Sequence, residues 1–433
     1  MAQLTSLTSR AALEAEARRR GEPDWLREFR LRAWDFALGL DLPSRTDEKW
    51  RRTDLTGLDL GRVNPEVPAG APQEVPEAFA PMVGEGKTLV LRNGVAVRAP
   101  EGLPAGVIVT DLETAARQYP DLVQPYLMTQ AVRPEESIFT ALHAAFFRGG
   151  AFVYLPRGAQ VEEPIQILTW ADGPGAGLLG HTLVVAEEGA SARVVEYWAS
   201  PAMPEGTPHL GVVEILTGPG ARIDYSGVQN WGPGVWSFTT RRTKVGRDAT
   251  VNWLLAEFGG ELVRSEQYTA LDQEGGEGNL KVLFFASGNQ HIDIVAEDLH
   301  YPTGRRTVGD IVGRGVLQDQ SRVVFRGKGH IMRGAKGSTC FLRENALMLN
   351  RGCRADSIPS LFIDDDQVER AGHAATSGKI DEDELFYLMS RGLTRKQATR
   401  LIVEGFFKPI LDTVELPALR RELESLVDRK LGL

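Results

Sequence analysis

The sequence predicts a mostly β fold with flanking helices, in which a central parallel β-helix lies between N-terminal and C-terminal helical domains. Three observations carry this expectation. From Gly149 to about Ile363 the chain runs in short Val-, Ile-, Tyr- and Thr-rich segments punctuated by glycine, without a helical period. Inside that region a Gly-Ala-x-apolar corner recurs at Gly158-Ala159, Gly189-Ala190 and Gly220-Ala221, 31 residues apart each time, and a looser copy follows at Gly246-Arg247-Asp248-Ala249. A 3.6-residue apolar period appears only towards the two ends. Repeats of roughly 20–50 residues per pair of short strands mark stacked rungs, and glycine supplies their sharp corners. A large β-sandwich whose turns happen to recur is the competing reading of the same repeats.

The elements follow in order. Residues 8–40 are rich in Ala, Leu, Arg and Glu, and Trp25, Leu26, Phe29, Leu31, Ala33, Trp34 and Leu38 fall close to a 3.6-residue period after Pro23. The proline-rich stretch Pro65–Pro81 lacks N–H donors and suits a connector. Residues 1–80 are therefore assigned to an N-terminal helical region with its connector, 81–370 to the β-helix, and 371–433 to a C-terminal helical domain. In the last of these, Asp381–Ser390 carries acids in its first turn and Gly392 as its stop. Thr394-Arg395-Lys396-Gln397 reads as a capping box that opens a helix through Phe406, ended by Pro409. A third helix starts near Pro417, with Leu419, Leu423, Leu426 and Val427 on one face.

At 433 residues, 42% hydrophobic and 25% charged, the chain has ample material for a buried core. A net charge of −9 repels phosphate backbones, so no nucleic acid is expected as a partner. Two cysteines, Cys340 and Cys353, can build neither a disulfide framework nor a self-contained four-thiolate metal site, and they suggest a reducing compartment. The first twenty residues lack an apolar signal region and no 18-residue apolar run occurs, which predicts a cytoplasmic protein without a membrane partner.

Several motifs tempt and fail. Gly175-Ala176-Gly177-Leu178-Leu179-Gly180 fits G-x-G-x-x-G, but a strand-like run follows where dinucleotide binding needs a helix N-terminus. Gly86-Lys87-Thr88 imitates the end of a phosphate loop, with Pro81 where the motif requires glycine and again a strand behind it. No nucleotide is expected on this chain. The seven histidines are scattered, none spaced to pair with another along a helix. One combination is denser: Cys353 lies twenty residues before His373, both near the junction of β and helical texture, and small residues flank the histidine in AGHAAT. Thiolate and imidazole are borderline-soft ligands for iron or zinc. A buried cysteine and a capping histidine would look the same.

The stretch Ala355–Phe407, with His-x-Ala-Thr at His373 and DEDELFYLMSRG from Asp381 to Gly392, resembles the C-terminal signature of the SufB/SufD family of iron–sulfur assembly scaffold proteins. The segments PDWLREFRLRAW and DEKWRRTDL resemble the SufD branch of that family, whereas Cys353 stands where the SufB branch carries a functional cysteine. The resemblance implies a right-handed β-helix between helical domains. It also implies a non-enzymatic, non-ATPase scaffold subunit, SufD-like with SufB-like as the alternative, that assembles clusters and passes them to apo-proteins. The implied partners are a SufB-like subunit met through the β-helix and a SufC-like ATPase met through the C-terminal helices, with a homodimer possible in isolation. His373, and after it Cys353, becomes the candidate ligand for iron or a transient cluster at a subunit interface. The apolar side chains Leu385, Phe386, Leu401, Ile402 and Phe406 become the candidate ATPase-docking surface, unless that face packs on the chain's own β-helix. A β-helix carbohydrate-active enzyme is the rival from another class. Its carboxylate candidates, Glu162-Glu163 and Glu187-Glu188, are sequence neighbours, which on a strand would point to opposite faces.

Overall fold

The computed structural model describes residues 9–67, 74–80, 82–83 and 87–433. Part of the proline-rich stretch, Pro81 and Gly86 lie outside the described residues.

Helix α1 (Arg10–Arg19) starts at Ser9, whose side chain accepts from the Ala12 N–H at 3.1 Å, and α2 (Asp24–Gly39) starts at Pro23. The buried face of α2 holds Leu26, Phe29, Ala33, Trp34 and Ala37, as the period predicts. It also holds Arg30, which apolar periodicity cannot reveal. Its guanidinium donates to Glu22 at 2.8 Å and to the Ala145 carbonyl at 3.2 Å, and stacks 4.0 Å from the Phe147 ring centre. A buried arginine is tolerated only with such compensation.

Strands β1 (Lys87–Arg92) and β2 (Val95–Arg98) form an antiparallel hairpin through Asn93-Gly94, and β3 (Ile108–Asp111) follows. Three helices come next, α3 (Leu112–Gln118), α4 (Pro120–Val123) and α5 (Ile138–Phe146). They stand within the 81–370 span that the sequence assigns to the β-helix, which therefore begins only near residue 151. The rungs are built from β4 (Ala151–Leu155), β5 (Gln160–Trp170), β6 (His181–Ala186), β7 (Ser191–Ala199), β8 (Thr207–Thr217), β9 (Arg222–Asn230), β10 (Val235–Lys244) and β11 (Thr250–Glu257). They continue through β12 (Leu262–Leu271), β13 (Glu277–Ala286), β14 (His291–His300), β15 (Val308–Leu317), β16 (Arg322–Ile331), β17 (Thr339–Met348), β18 (Arg354–Ile363) and β19 (Arg370–Lys379). The β region thus ends at Lys379, beyond residue 370, and His373 lies on its last strand.

Odd strands from β5 to β19, joined by β1 and β2, form a ten-stranded sheet; even strands from β4 to β18, joined by β3, form a nine-stranded one. From β4 onwards every lateral pairing is parallel, which makes a two-sheet parallel solenoid. Equivalent side chains stack from rung to rung, as in the inward ladder Val194, Tyr225, Trp253, Leu280, Ile311, Leu342. The repeating corner is explained by backbone: Gly158, Gly189 and Gly220 have φ of 72°, 67° and 64°, and each donates its N–H to the next rung at 2.8 Å. In the looser fourth copy it is Asp248, not Gly246, that takes the left-handed conformation, with φ 54°.

The apolar lumen is the main core. The outer face of the nine-stranded sheet packs against α2, α3 and α5; of the C-terminal helices α6 (Glu382–Ser390), α7 (Arg395–Leu411) and α8 (Pro417–Leu431), α7 and α8 pack against the ten-stranded sheet, while α6 joins a smaller cluster through Leu385. The capping box at Thr394 and Gln397 forms as predicted. Helix α7, however, continues through Pro409 to Leu411. Proline removes one hydrogen bond near the helix end, and the burial of Phe407, Ile410 and Leu411 against the sheet outweighs that loss. Among the described residues no helix is long and apolar enough to cross a membrane.

Candidate functional site

Among the described residues the solenoid's last rung, β18 and β19, has strand neighbours on one side only: β18 pairs with β16 and β19 with β17. Its outer strand edges carry unpaired backbone donors and acceptors, the kind of surface that another chain can extend. Register fixes what faces the lumen there. On β17 the inward side chains are Cys340, Leu342, Glu344 and Ala346, all buried; on β19 the residues stacked upon them are Ala371, His373, Ala375 and Ser377. On β18 the corresponding set is Ala355, Ser357, Pro359 and Leu361. Lower rungs are filled with Leu, Val, Phe and Trp, whereas this mouth is lined mostly by small side chains.

His373 is exposed, stacked on Leu342 with the lumen-facing parity. Cys353 lies at the corner before β18, 8% exposed, and its thiol faces the carbonyls of Asn350 at 3.2 Å and Leu317 at 3.6 Å. No hydrogen bond or ion pair joins the two residues. Among the described residues no three His, Cys, Asp or Glu side chains gather to hold a metal ion. Any ion here would need ligands from elsewhere.

Glu344 escaped the sequence reading. It is 2% exposed, accepts a hydrogen bond from Ser357, and burial pushes its carboxyl up to about 7. The signal was present, because in TCFLRENALM the period-2 pattern of Cys340, Leu342 and Ala346 puts Glu344 on the inner face.

A second buried polar set lies under α5. The Leu210 carbonyl can only accept, so His143 carries its proton on Nδ1, at 2.9 Å from that oxygen. His143 Nε2 then accepts from His181 Nδ1 at 3.0 Å, whereas His181 Nε2 lies 3.2 Å from a Glu214 oxygen without a hydrogen bond to it. Desolvation pushes the Glu214 carboxyl up to about 8 and His181 down to about 3, so both are favoured in their neutral forms. The Glu214 carboxyl also holds the Met128 and Val132 N–H groups, at 2.7 and 3.0 Å. These histidines are 38 residues apart, so no local spacing could reveal them.

The five candidate docking residues divide. Leu385 is 1% exposed and packs with Ile380 and Ala398 between α6 and α7, so it cannot face a partner. Ile402 is partly buried in the same cluster. Phe406 packs over the ten-stranded sheet, where its carbonyl and its ring both meet Arg314, so part of this face does cover the chain's own solenoid. Phe386, at 73% exposed, and Leu401, at 50%, remain free, joined by Tyr387 and Met389, which the sequence reading did not single out.

The glycine motifs run into strands. A single 3-10 turn, Ala176–Leu178, and then β6 occupy the G-x-G-x-x-G stretch, and Lys87 and Thr88 lie in β1. Glu162 and Glu163 are both exposed where β5 shifts register, not on opposite faces as expected, and Glu187-Glu188 sits at a corner. A bulge exposes consecutive side chains together, which simple alternation does not anticipate.

Comparison with known proteins agrees with this architecture. Residues 169–406 match the family model described as SUF system FeS cluster assembly, SufBD core domain, and residues 12–167 match the SufBD protein N-terminal region. The chain is 32% identical to the iron–sulfur cluster assembly protein SufD of Bacillus subtilis, over 96% of this chain and 97% of that protein. It is 28% identical to SufB of the same organism, over 94% and 89%, and 29% identical to a SufBD family protein of Staphylococcus epidermidis, over 92% and 87%. With helices at both ends, a parallel solenoid between them and matches along almost its whole length, the chain belongs to the SufBD family of iron–sulfur cluster assembly proteins.

Proposed function

We propose that this chain is a SufD-like scaffold subunit without ATPase or other catalytic chemistry, working in a SufBCD-type complex that builds iron–sulfur clusters and passes them to apo-proteins. The observation that carries this reading is the uncapped last rung, with free strand edges and an exposed, lumen-facing His373. A SufB-like subunit covers that rung in the complex, and in its absence a second copy of the chain takes the same place. Iron or a transient cluster is the cargo at this junction, held in part by His373. An incomplete ligand set suits cargo that must later be released.

Cys353 steadies the corner that carries β18. Its buried, hydrogen-bonded thiol favours the SufD-like over the SufB-like reading. The SufC-like ATPase docks on the exposed ridge of Phe386, Tyr387 and Leu401, and supplies the nucleotide chemistry for which this chain's glycine motifs offer no helix N-terminus.

The test is co-expression with the two partner classes, followed by purification and iron–sulfur reconstitution, for wild type and His373→Ala. The variant is expected to assemble and melt like wild type and to lose cluster formation. Full cluster formation by His373→Ala contradicts the reading.

A further inference from the structure

Lys430 stands in the last turn of α8, half-buried against the solenoid corner between β13 and β14. Its Nζ donates to Ser287 Oγ at 3.1 Å and to Gln290 Oε1. The orientation of Gln290 is forced, because its Nε2 donates to the carbonyls of Phe258 and Gly260, at 3.2 and 2.6 Å, and leaves only the oxygen for the lysine. Both acceptors are neutral. Lys49, Lys87, Lys244, Lys328 and Lys408 each lie against a carboxylate, but among the described residues none comes within ion-pair distance of Lys430. Lys336, Lys379 and Lys396 also lack one but are exposed, and Lys281 lacks the fixed acceptors. The charged groups nearest to Lys430 from other elements are Asp319, whose Oδ2 is taken by the Gly288 N–H at 2.8 Å, and Glu261, which lines the same groove.

An ammonium group carries three N–H donors, a neutral amine two and a lone pair. Two fixed neutral acceptors and no anion fit the neutral amine, and desolvation pushes Lys430 down to about 8 in agreement with that geometry. The remaining tetrahedral position of Nζ is then the lone pair. Beside it runs a groove of about 560 Å³ along three successive corners, lined by residues 231–234, 258–261 and 287–290 and by Lys430. Rung stacking keeps this groove open: a Cβ at Gly232 or Gly259 would overlap the carbonyl of Pro201 or Trp231 on the neighbouring rung, so no side chain can grow into it there.

We propose that Lys430 is a modification site, its amine taking a small acyl group from an activated donor, an acyl phosphate or an acyl thioester, that enters the corner groove. The nitrogen lone pair forms the N–C bond to the acyl carbon. The bond from that carbon to phosphate oxygen or thiol sulfur breaks, the leaving group departs with the electron pair, and the nitrogen gives one proton to water. The amide formed has a single N–H, so only one of Ser287 and Gln290 keeps its bond, and the end of α8 loses a tie to the solenoid. This inference rests on the surroundings of Lys430 and not on the function proposed above.

The experiment incubates the full chain with acetyl phosphate or with acetyl-CoA from pH 6 to 9.5 and follows acetylation of each lysine by peptide mass spectrometry. Lys408, with 68% of its side chain exposed and Asp412 beside it, is the comparator. At pH 7 an amine titrating near 8 is neutral about one time in ten, an ordinary lysine about once in 2,500. Lys430 is therefore expected to react at least tenfold faster than Lys408 at pH 7 with at least one donor, which identifies the donor class, and its rate should level off above about pH 8.5 while that of Lys408 still climbs. Ser287→Asp puts an anion against the amine and should cut Lys430 labelling at pH 7 at least tenfold. A Lys430 no faster than Lys408 with both donors, or one whose rate climbs in parallel with Lys408 to pH 9.5, overturns the inference. Unchanged labelling in a Ser287→Asp chain that melts like wild type does so as well; if that variant melts lower, the wild-type pH profile alone decides.

Discussion

Two neighbouring residues of α6 separate folding from docking. Leu385 is 1% exposed against Ile380 and Ala398, while Phe386 is 73% exposed. Leu385→Ala removes buried methyl groups from a small cluster near the surface, where partial collapse is possible, so the cost falls near the lower end of the about 2–5 kcal/mol range for such truncations. That loss is local and loosens the α6–α7 hairpin, visible as faster amide exchange there. Phe386→Ala should change the chain's own stability by no more than about 0.5 kcal/mol. If the ATPase covers that ring, a fully buried phenylalanine worth roughly 1.5–3 kcal/mol, scaled to the exposed fraction, gives about 1–2 kcal/mol of binding. At about 1.4 kcal/mol per decade this is a roughly five- to thirtyfold rise in Kd, measured by titration calorimetry with the SufC-type ATPase. Binding within about twofold of wild type, with α6 intact by exchange, would refute the docking reasoning.

The glycines give a paired prediction. Gly315→Ala would set a Cβ 1.6 Å from Phe284 Cε2 in the packed lumen and should cost about 3 kcal/mol or more, read as a lower melting temperature or loss of folded yield. Gly158→Ala meets nothing within 4 Å and pays only for its φ of 72°, about 1–2 kcal/mol. A second prediction concerns pH. Burial raises Glu214 and Asp298 to about 8 and Glu344 to about 7, so the stability these groups lend at low pH is lost as pH rises through 7 to 8. Burial lowers His181 to about 3, His291 and His300 to about 4, and His143 and His209 well below their ordinary value, so their stability is present above about pH 6.5 and lost below it. Burial raises Glu196 as well, but five histidines outweigh four carboxyls on the acid side, and thermal melts of the isolated chain should peak near pH 6.5. A plateau from pH 6.5 to 9 would contradict this.

What the sequence made legible follows the physics of local pattern. The face of α2, the capping box at Thr394 and the corners at Gly158, Gly189 and Gly220 are set by residues close in the chain, and each appears where expected. What depended on distant contacts did not show. Strand β19, Arg370–Lys379, is made of small and polar residues with little intrinsic strand preference; it is a strand because β17 offers it a complete ladder. Leu385 and Phe386 are adjacent apolar residues, and only the position of α7 decides which is buried. Of the residues at the candidate site, His373 stood out by its small neighbours, whereas the buried Glu344 became visible only once register put it on the inner face beneath them.

In the proposed function the last rung is where the scaffold meets its partner. Hydrogen–deuterium exchange of the β18 and β19 amides, with and without the SufB-like subunit, tests it directly. Strong protection of the outer edges of Arg354–Ile363 and Arg370–Lys379 is expected on complex formation, with the lower rungs unchanged. A stable complex whose new protection lies elsewhere, with β18 and β19 exchanging as in the free chain, would contradict it.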